Sequence, residues 1–157
     1  MYYRGNNNET TIQPREWKFK RPKAGVFIYN PRTGKILIVQ SYCQKWGPPK
    51  GSIEECDEES IRKCAIREVL EETGILLKES DLTTFYVIDK TTYFYLELDN
   101  PYNLTHLEFD ITGITWIDPE CLLVLVNANE IDLNYHCKKC IAKFLHIPPN
   151  KFGTSPP

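Results

Sequence analysis

No apolar run in the 157 residues is longer than Cys121 to Val126, far short of the roughly 18 residues that a membrane-spanning helix requires. A helical membrane anchor is therefore not expected. The N-terminus, Met1-Tyr2-Tyr3-Arg4-Gly5-Asn6-Asn7-Asn8, lacks the apolar stretch of a secretory signal. Net charge is nearly absent as well, because 19 Lys and Arg against 21 Asp and Glu leave −2. That balance, with 41% hydrophobic and 25% charged residues, fits one ordinary globular domain and excludes a disordered or fibrous chain. Internal repeats are missing, which removes solenoid architectures. The six cysteines have no secretory context, so they read as reduced thiols in a cytoplasmic or other reducing intracellular compartment. Cys137-Lys138-Lys139-Cys140 lacks the second ligand pair of a zinc site and reads as structural.

What is present divides the chain into three parts. Residues 1–13 are polar and Asn/Thr-rich, and residues 148–157 contain Pro148, Pro149, Pro156 and Pro157, so both ends are expected to be flexible tails around a single domain at 14–147. Within it, Ala24 to Asn30 and Lys35 to Tyr42 are β-rich runs joined by Pro31-Arg32-Thr33-Gly34, a hairpin pattern. A helix is predicted from about Glu58 to Thr73, closed by Gly74. Strands follow at Thr83 to Asp89, Tyr93 to Asp99 and Ile111 to Ile117. A short helix opens at Pro119, and a terminal helix runs from Leu133 to Leu145. Strands and helices mix without regular alternation, which predicts an α+β fold with helices flanking a mixed sheet.

The first long helix carries the chemistry. At about 100° per residue, Ile61, Cys64 and Ala65 form an apolar stripe that Glu68, Glu71 and Glu72 continue. Carboxylates at i, i+3 and i+4 repel one another by a few tenths of a kcal/mol per pair in solvent and by more when partly buried. Ile66 and Leu70 make the opposite side apolar too, so a freely solvated face explains the glutamates poorly. Lys63 or Arg67 offers one form of compensation. A hard divalent cation, Mg²⁺ or Mn²⁺, offers another, since both prefer oxygen ligands.

The residues around this stripe decide between them. Gly51, then Glu59, then Arg67-Glu68-Val69-Leu70-Glu71-Glu72-Thr73-Gly74-Ile75 resembles the Nudix box, G-x5-E-x7-R-E-U-x-E-E-x-G-U with U aliphatic. Every fixed position of the second half matches. Seven residues separate Gly51 from Glu59 where the pattern has five, and Asp57 stands at the five-residue spacing. We assign the box acid to Glu59 with a two-residue insertion in the loop. The resemblance implies a Nudix αβα sandwich, with Glu68, Glu71 and Glu72 as metal ligands beside the Gly51 backbone. Glu71 and Glu72 are expected among the catalytic residues, with Arg67 orienting the cluster through a carboxylate.

The loop before the box bears on substrate. Trp46-Gly47-Pro48-Pro49-Lys50-Gly51 is similar to the W-x-F-P-K-G loop of mRNA-decapping Nudix enzymes and to the W-x-P-P-K-G loop of diadenosine tetraphosphate hydrolases, whereas diphosphoinositol hydrolases usually carry P-G-G. Lys50 is placed to meet phosphate charge. Cys64-Ala65-Ile66-Arg67-Glu68-Val69 resembles the C-A-x-R-E-V of the decapping group. Asp110-Ile111-Thr112-Gly113-Ile114-Thr115-Trp116 resembles its E-I-x-x-I-x-W strand, making Asp110, or nearby Glu108, a candidate base or ligand. Arg15 to Lys23 holds five cations and one acid, so Lys18, Lys20 and Arg21 are candidate contacts to a nucleotide or RNA backbone. Trp17, Phe19, Tyr42 or Trp46 is available to stack on a base. Asn134 to Lys151 has four lysines and no acid but no convincing RNA-binding box, and residues 1–13 are not expected to form a regulatory domain, which keeps the dinucleotide alternative open. A non-catalytic binding module usually has a degraded box, and this box is intact. Oligomeric state is not legible in the sequence.

Overall fold

The structure, a computed structural model, describes residues 21–42, 44–99, 104–105 and 111–152. Strand β1 (Lys23–Asn30) and strand β2 (Lys35–Ser41) form the expected antiparallel hairpin, with Ile28 opposite Leu37 and Asn30 opposite Lys35. Asn30 builds its turn: its Oδ1 accepts the backbone N–H of Arg32 at 3.0 Å and of Thr33 at 3.3 Å. Gly34 closes it at φ +72°, a left-handed conformation that glycine adopts without a Cβ penalty.

The loop after this hairpin is more regular than its Gly-Pro content implies. It contributes β3 (Lys45–Gly47), paired with β2, and β4 (Lys50–Ser52), paired with β1. Strands β5 (Thr84–Ile88) and β6 (Thr91–Glu97) form a second hairpin, and β6 runs parallel to β1. Strand β7 (Ile111–Ile117) pairs antiparallel with β2, and the two-residue β8 (Asp132–Leu133) runs parallel to β3. The sheet order is β5-β6-β1-β2-β3-β8, with β4 off β1 and β7 off β2. The sheet is therefore mixed.

Period-two alternation sends the two sides of each strand into different cores. Val26, Ile28 and Leu37 pack with Cys64, Ala65 and Val69 of helix α1 (Ile61–Thr73). Phe27, Ile36 and Ile38 pack on the other face with Leu122 of α2 (Pro119–Asn127) and Cys137, Cys140 and Ile141 of α3 (Tyr135–Leu145). Helix on one face and helices on the other make the expected αβα sandwich. Leu122 and Ile141 are fully buried, each contributing about 1.5–3 kcal/mol by leaving water. No helix among the described residues is long and apolar enough to cross a membrane.

Three expectations are corrected. Helix α1 starts at Ile61 rather than near Glu58, because Glu58 and Glu59 sit at φ 52° and 65° and Ser60 caps the helix by accepting the Lys63 N–H at 3.2 Å. Leu133 belongs to β8, so α3 begins after Asn134, whose side chain accepts the His136 N–H at 2.8 Å. Residues 148–152 do not form a loose tail: Pro149–Phe152 is a 3₁₀ turn, and Phe152 is buried at 1% exposure. The remaining tail residues, 1–13 and 153–157, lie outside the described residues.

Cys137 and Cys140 lie one turn apart on the buried face of α3 and are free thiols, with burial pushing Cys137 up to about 12 and Cys140 up as well. Thiols held protonated in a core are poor nucleophiles. Alkylation of the exposed Cys56 and Cys121 under native conditions is expected to leave activity unchanged. Activity loss that substrate protects against would overturn this.

Candidate functional site

Helix α1 is bounded by the Ser60 cap and by Gly74, whose φ of 79° and N–H to Leu70 O at 2.9 Å end it. Between these ends its buried line runs Cys64, Ala65, Glu68, Val69 and Glu72. Two carboxylates thus face the sheet, Glu68 at 4% and Glu72 at 5% exposure, while the Glu71 side chain keeps 29%.

Arg67 organises the acids around it. Its Nε donates to Asp57 Oδ1 at 2.8 Å and Nη2 to Asp57 Oδ2 at 2.9 Å, a bidentate pair. Nη1 donates to Glu68 Oε1 at 2.9 Å and Glu71 Oε2 at 3.0 Å, and Nη2 also donates to the Ser52 carbonyl at 2.9 Å. These contacts match the full donor capacity of a guanidinium. Burial alone pushes Asp57 up, but the Arg67 bonds and the Glu54 N–H outweigh it and hold the carboxyl below its usual range. Burial likewise disfavours a charged Arg67, and its three carboxylate partners reverse that.

Asp57 therefore holds the position assigned above to Glu59. Asp57 is buried at 2%, whereas Glu59 is exposed before the Ser60 cap. The two-residue insertion follows the acid instead of preceding it, and the left-handed pair Glu58-Glu59 absorbs it. The five-residue spacing carried this signal. Helical reach did not favour Asp57, because the 3₁₀ turn Glu55–Asp57 that folds it back onto Arg67 has no periodicity to reveal it.

Glu68 is short of compensation. Burial pushes it up to about 7, against the opposing pull of Arg67 and with Glu71 adding repulsion. Its carboxylate occupies the space that a Cβ on Gly51 would fill, so only glycine fits there. Glu72 accepts the Lys50 N–H at 2.8 Å. Among the described residues no three His, Cys, Asp or Glu side chains converge as a ready metal cage, since Glu68 and Glu71 are drawn to Arg67 and Glu72 to Lys50. The donor set nonetheless suits a hard divalent cation, being all oxygen with one buried carboxylate undercompensated.

Glu68 and Glu72 open on a cleft of about 380 Å³ whose walls also include Arg21, Lys23, Lys45, Lys50 and Gly51, whereas Glu71 is not part of its lining. Of the expected substrate contacts, Lys50 and Arg21 line it. Trp46 does not: its neighbours on β3, Lys45 and Gly47, face the cleft, and Trp46 lies on the other side of the strand. Lys23 and Lys45 were not singled out from the sequence as substrate contacts. Lys18, Lys20, Trp17, Phe19, Glu108 and Asp110 lie outside the described residues.

Behind the cleft, the buried Tyr93 hydroxyl and His136 Nδ1 are 2.8 Å apart, and His136 Nε2 is 2.9 Å from Asp89 Oδ2. The carboxylate only accepts, so Nε2 carries the hydrogen and Nδ1 accepts from the tyrosine. Burial and the nearby Lys50 lower the His136 pKa against the pull of Asp89, which keeps the ring neutral. His136→Phe is expected to cost about 1–3 kcal/mol by stranding the Tyr93 hydroxyl. In urea denaturation, adding Tyr93→Phe should recover part of that loss, and strict additivity would refute the pairing.

A family model described as NUDIX domain matches residues 19–136. The chain is 39% identical over 109 residues to 111R, a protein of Invertebrate iridescent virus 3 named as a hydrolase, covering 67% of this chain and 63% of that one. It is also 39% identical over 75 residues to the m7GpppN-mRNA hydrolase dcap-2 of Caenorhabditis elegans, covering 46% of this chain and 9% of the worm protein. The chain thus spans less than two thirds of the length of either relative. The crystal structure of a C. elegans Ap4A hydrolase binary complex superposes with TM-score 0.52 and 25% identity, over 69% of this chain and 88% of that one.

Proposed function

The chain belongs to the NUDIX family, and from that premise we propose that it is a divalent-metal-dependent hydrolase of diphosphate linkages whose substrate is the 5′ cap of RNA. The products are a nucleoside diphosphate and a 5′-monophosphate RNA. The observation that carries the metal-dependent chemistry is the pair of buried carboxylates, Glu68 and Glu72, lining one cleft that also presents Arg21, Lys23, Lys45 and Lys50. Anionic oxygens for a cation and cations for phosphates stand in one cavity. The cap as substrate is supported by the identity with the worm decapping enzyme and by the Trp46 to Gly51 and Cys64 to Val69 segments.

Nudix enzymes generally use divalent metals, and here Glu68, Glu71, Glu72 and the Gly51 carbonyl would hold Mg²⁺ or Mn²⁺. When bound, such an ion neutralises diphosphate oxygens and makes water more acidic. Lys50 and Arg21 bind phosphate oxygens and orient the linkage for in-line attack at phosphorus. Glu71, the most exposed of the three glutamates, would take the proton of the attacking water, with Asp110 as the other candidate base. Arg67 holds the carboxylates in place and does not itself touch the substrate. The basic segment with Lys18 and Lys20 extends the phosphate contacts along the RNA backbone, and the free thiols suit a reducing intracellular compartment.

A second reading has its own support. Likeness to the worm Ap4A hydrolase structure favours asymmetric cleavage of dinucleoside polyphosphates. Incubating the protein with labelled capped RNA and with diadenosine tetraphosphate separates the two. Capped RNA is expected to be cleaved faster than free cap dinucleotide, with log K falling against log salt at about −0.7 per phosphate contact. Neutralising Lys18, Lys20 and Arg21 should weaken capped RNA selectively. Equal turnover of free cap and capped RNA, unchanged by neutralisation, would favour the dinucleotide.

A further inference from the structure

A second cavity of about 400 Å³ lies across β3 from the catalytic cleft, walled by Gln40, Gln44, Trp46, Asn129, Glu130 and Asp132. Its size falls in the range of small-molecule sites, about 300–1,000 Å³. Sheet register explains the indole: Gln40 of β2 stands opposite both Trp46 of β3 and Gly113 of β7. The Trp46 ring extends over Gly113, where an added Cβ would come within 2.8 Å of it. Around this aromatic surface, the side chains of Gln40, Gln44, Asn129, Glu130 and Asp132 make no hydrogen bond or ion pair among the described residues. Two carboxylates and three amides thus border the outer part of an indole whose inner part packs on the core, and their polar groups are open to solvent or to a ligand.

The chemistry selects the ligand. Glu130 and Asp132 repel phosphate, so the group admitted is a flat base and not its phosphate chain. Carboxylates need donors, and the Watson–Crick edge of guanine offers N1–H and N2–H₂ where adenine places an acceptor, N1. Methylation at N7 makes guanine cationic, which strengthens both stacking on indole and attraction to the acids. Gln44 lines this cavity and Lys45, the next residue, lines the cleft, so a polyphosphate bridge can pass over the tip of β3 beside the Lys45 ammonium. We infer that this cavity is the binding site for the cationic 7-methylguanine base of a capped substrate. The inference rests on the capped-RNA reading for its ligand, though not on turnover.

Binding without catalysis tests it. The protein in EDTA is titrated with m7GTP, GTP and ATP, following tryptophan fluorescence and calorimetric Kd. Binding of m7GTP is expected to be about 10-fold tighter than of GTP, with ATP weaker still. The exposed pair Glu130→Gln and Asp132→Asn should erase that preference without changing thermal unfolding, and Trp46→Leu should erase it with the fluorescence response. Equal Kd for m7GTP and GTP, or a preference that survives Glu130→Gln/Asp132→Asn, would overturn the site. Preference for m7GTP with no cleavage of capped RNA would leave the site standing and refute the hydrolytic reading. Cleavage of capped RNA without a methyl preference would do the reverse.

Discussion

Glu72→Gln is expected to lower kcat at least ~100-fold, because removing one of a few preorganised charges at a phosphoryl-transfer site costs several kcal/mol of transition-state stabilisation. The substitution isolates charge from packing. Glu72 is buried and accepts the Lys50 N–H at 2.8 Å, and the amide oxygen of glutamine can accept the same bond. Fold and cleft should therefore persist, with near-unchanged thermal unfolding. Glu71→Gln should behave similarly in kcat. The exposed Glu55→Gln serves as the control for a general loss of negative charge in this acidic segment. Near-normal turnover of Glu72→Gln at saturating metal would remove that residue from the catalytic set.

The two core faces and α1 were legible because their residues repeat at periods set by backbone geometry. Val26 and Ile28 against Phe27 alternate at period two, and Cys64, Ala65, Glu68 and Glu72 recur at helical spacing. The carboxylate line was legible for the same reason, since charge on a buried stripe is conspicuous. What escaped has no period. Strands β3 and β8 are three and two residues long, too short for alternation to register, yet they decide that Lys45 faces the cleft and Trp46 faces away from it. Asp57 reaches Arg67 through a 3₁₀ turn and two left-handed residues, so its role is a matter of loop geometry. The Tyr93–His136–Asp89 chain joins residues 43 and 47 positions apart, a pairing that only the tertiary fold creates.

Arg67→Met is expected to destabilise the protein by about 3–5 kcal/mol at neutral pH, since breaking a buried ion pair leaves an uncompensated charge behind. That is roughly 10 °C or more of melting temperature for a domain of this size. The exposed charge here is small: Asp57 keeps 2% and Glu68 6% of side-chain exposure, so water cannot take over the role of the guanidinium. Asp57→Asn on the Arg67→Met background should restore much of the loss, giving a coupling energy far from zero in the double-mutant cycle. The pH dependence supplies a second check. In the native protein Asp57 titrates below its unfolded value, so its contribution is complete above that value, about 3.9, and fades as pH falls through the folded one. Without Arg67, burial is opposed at Asp57 only by the Glu54 N–H and the Cys64 thiol, and at Glu68 it is joined by repulsion from Glu71, so both carboxyls rise and their ionisation becomes destabilising. The deficit of Arg67→Met should accordingly be largest near pH 8 and shrink towards pH 4.5, as the carboxyls take up protons. Urea unfolding at pH 8, 6 and 4.5 measures this directly, and a deficit independent of pH would show that Arg67 acts through packing of its stem and not through the charges it holds.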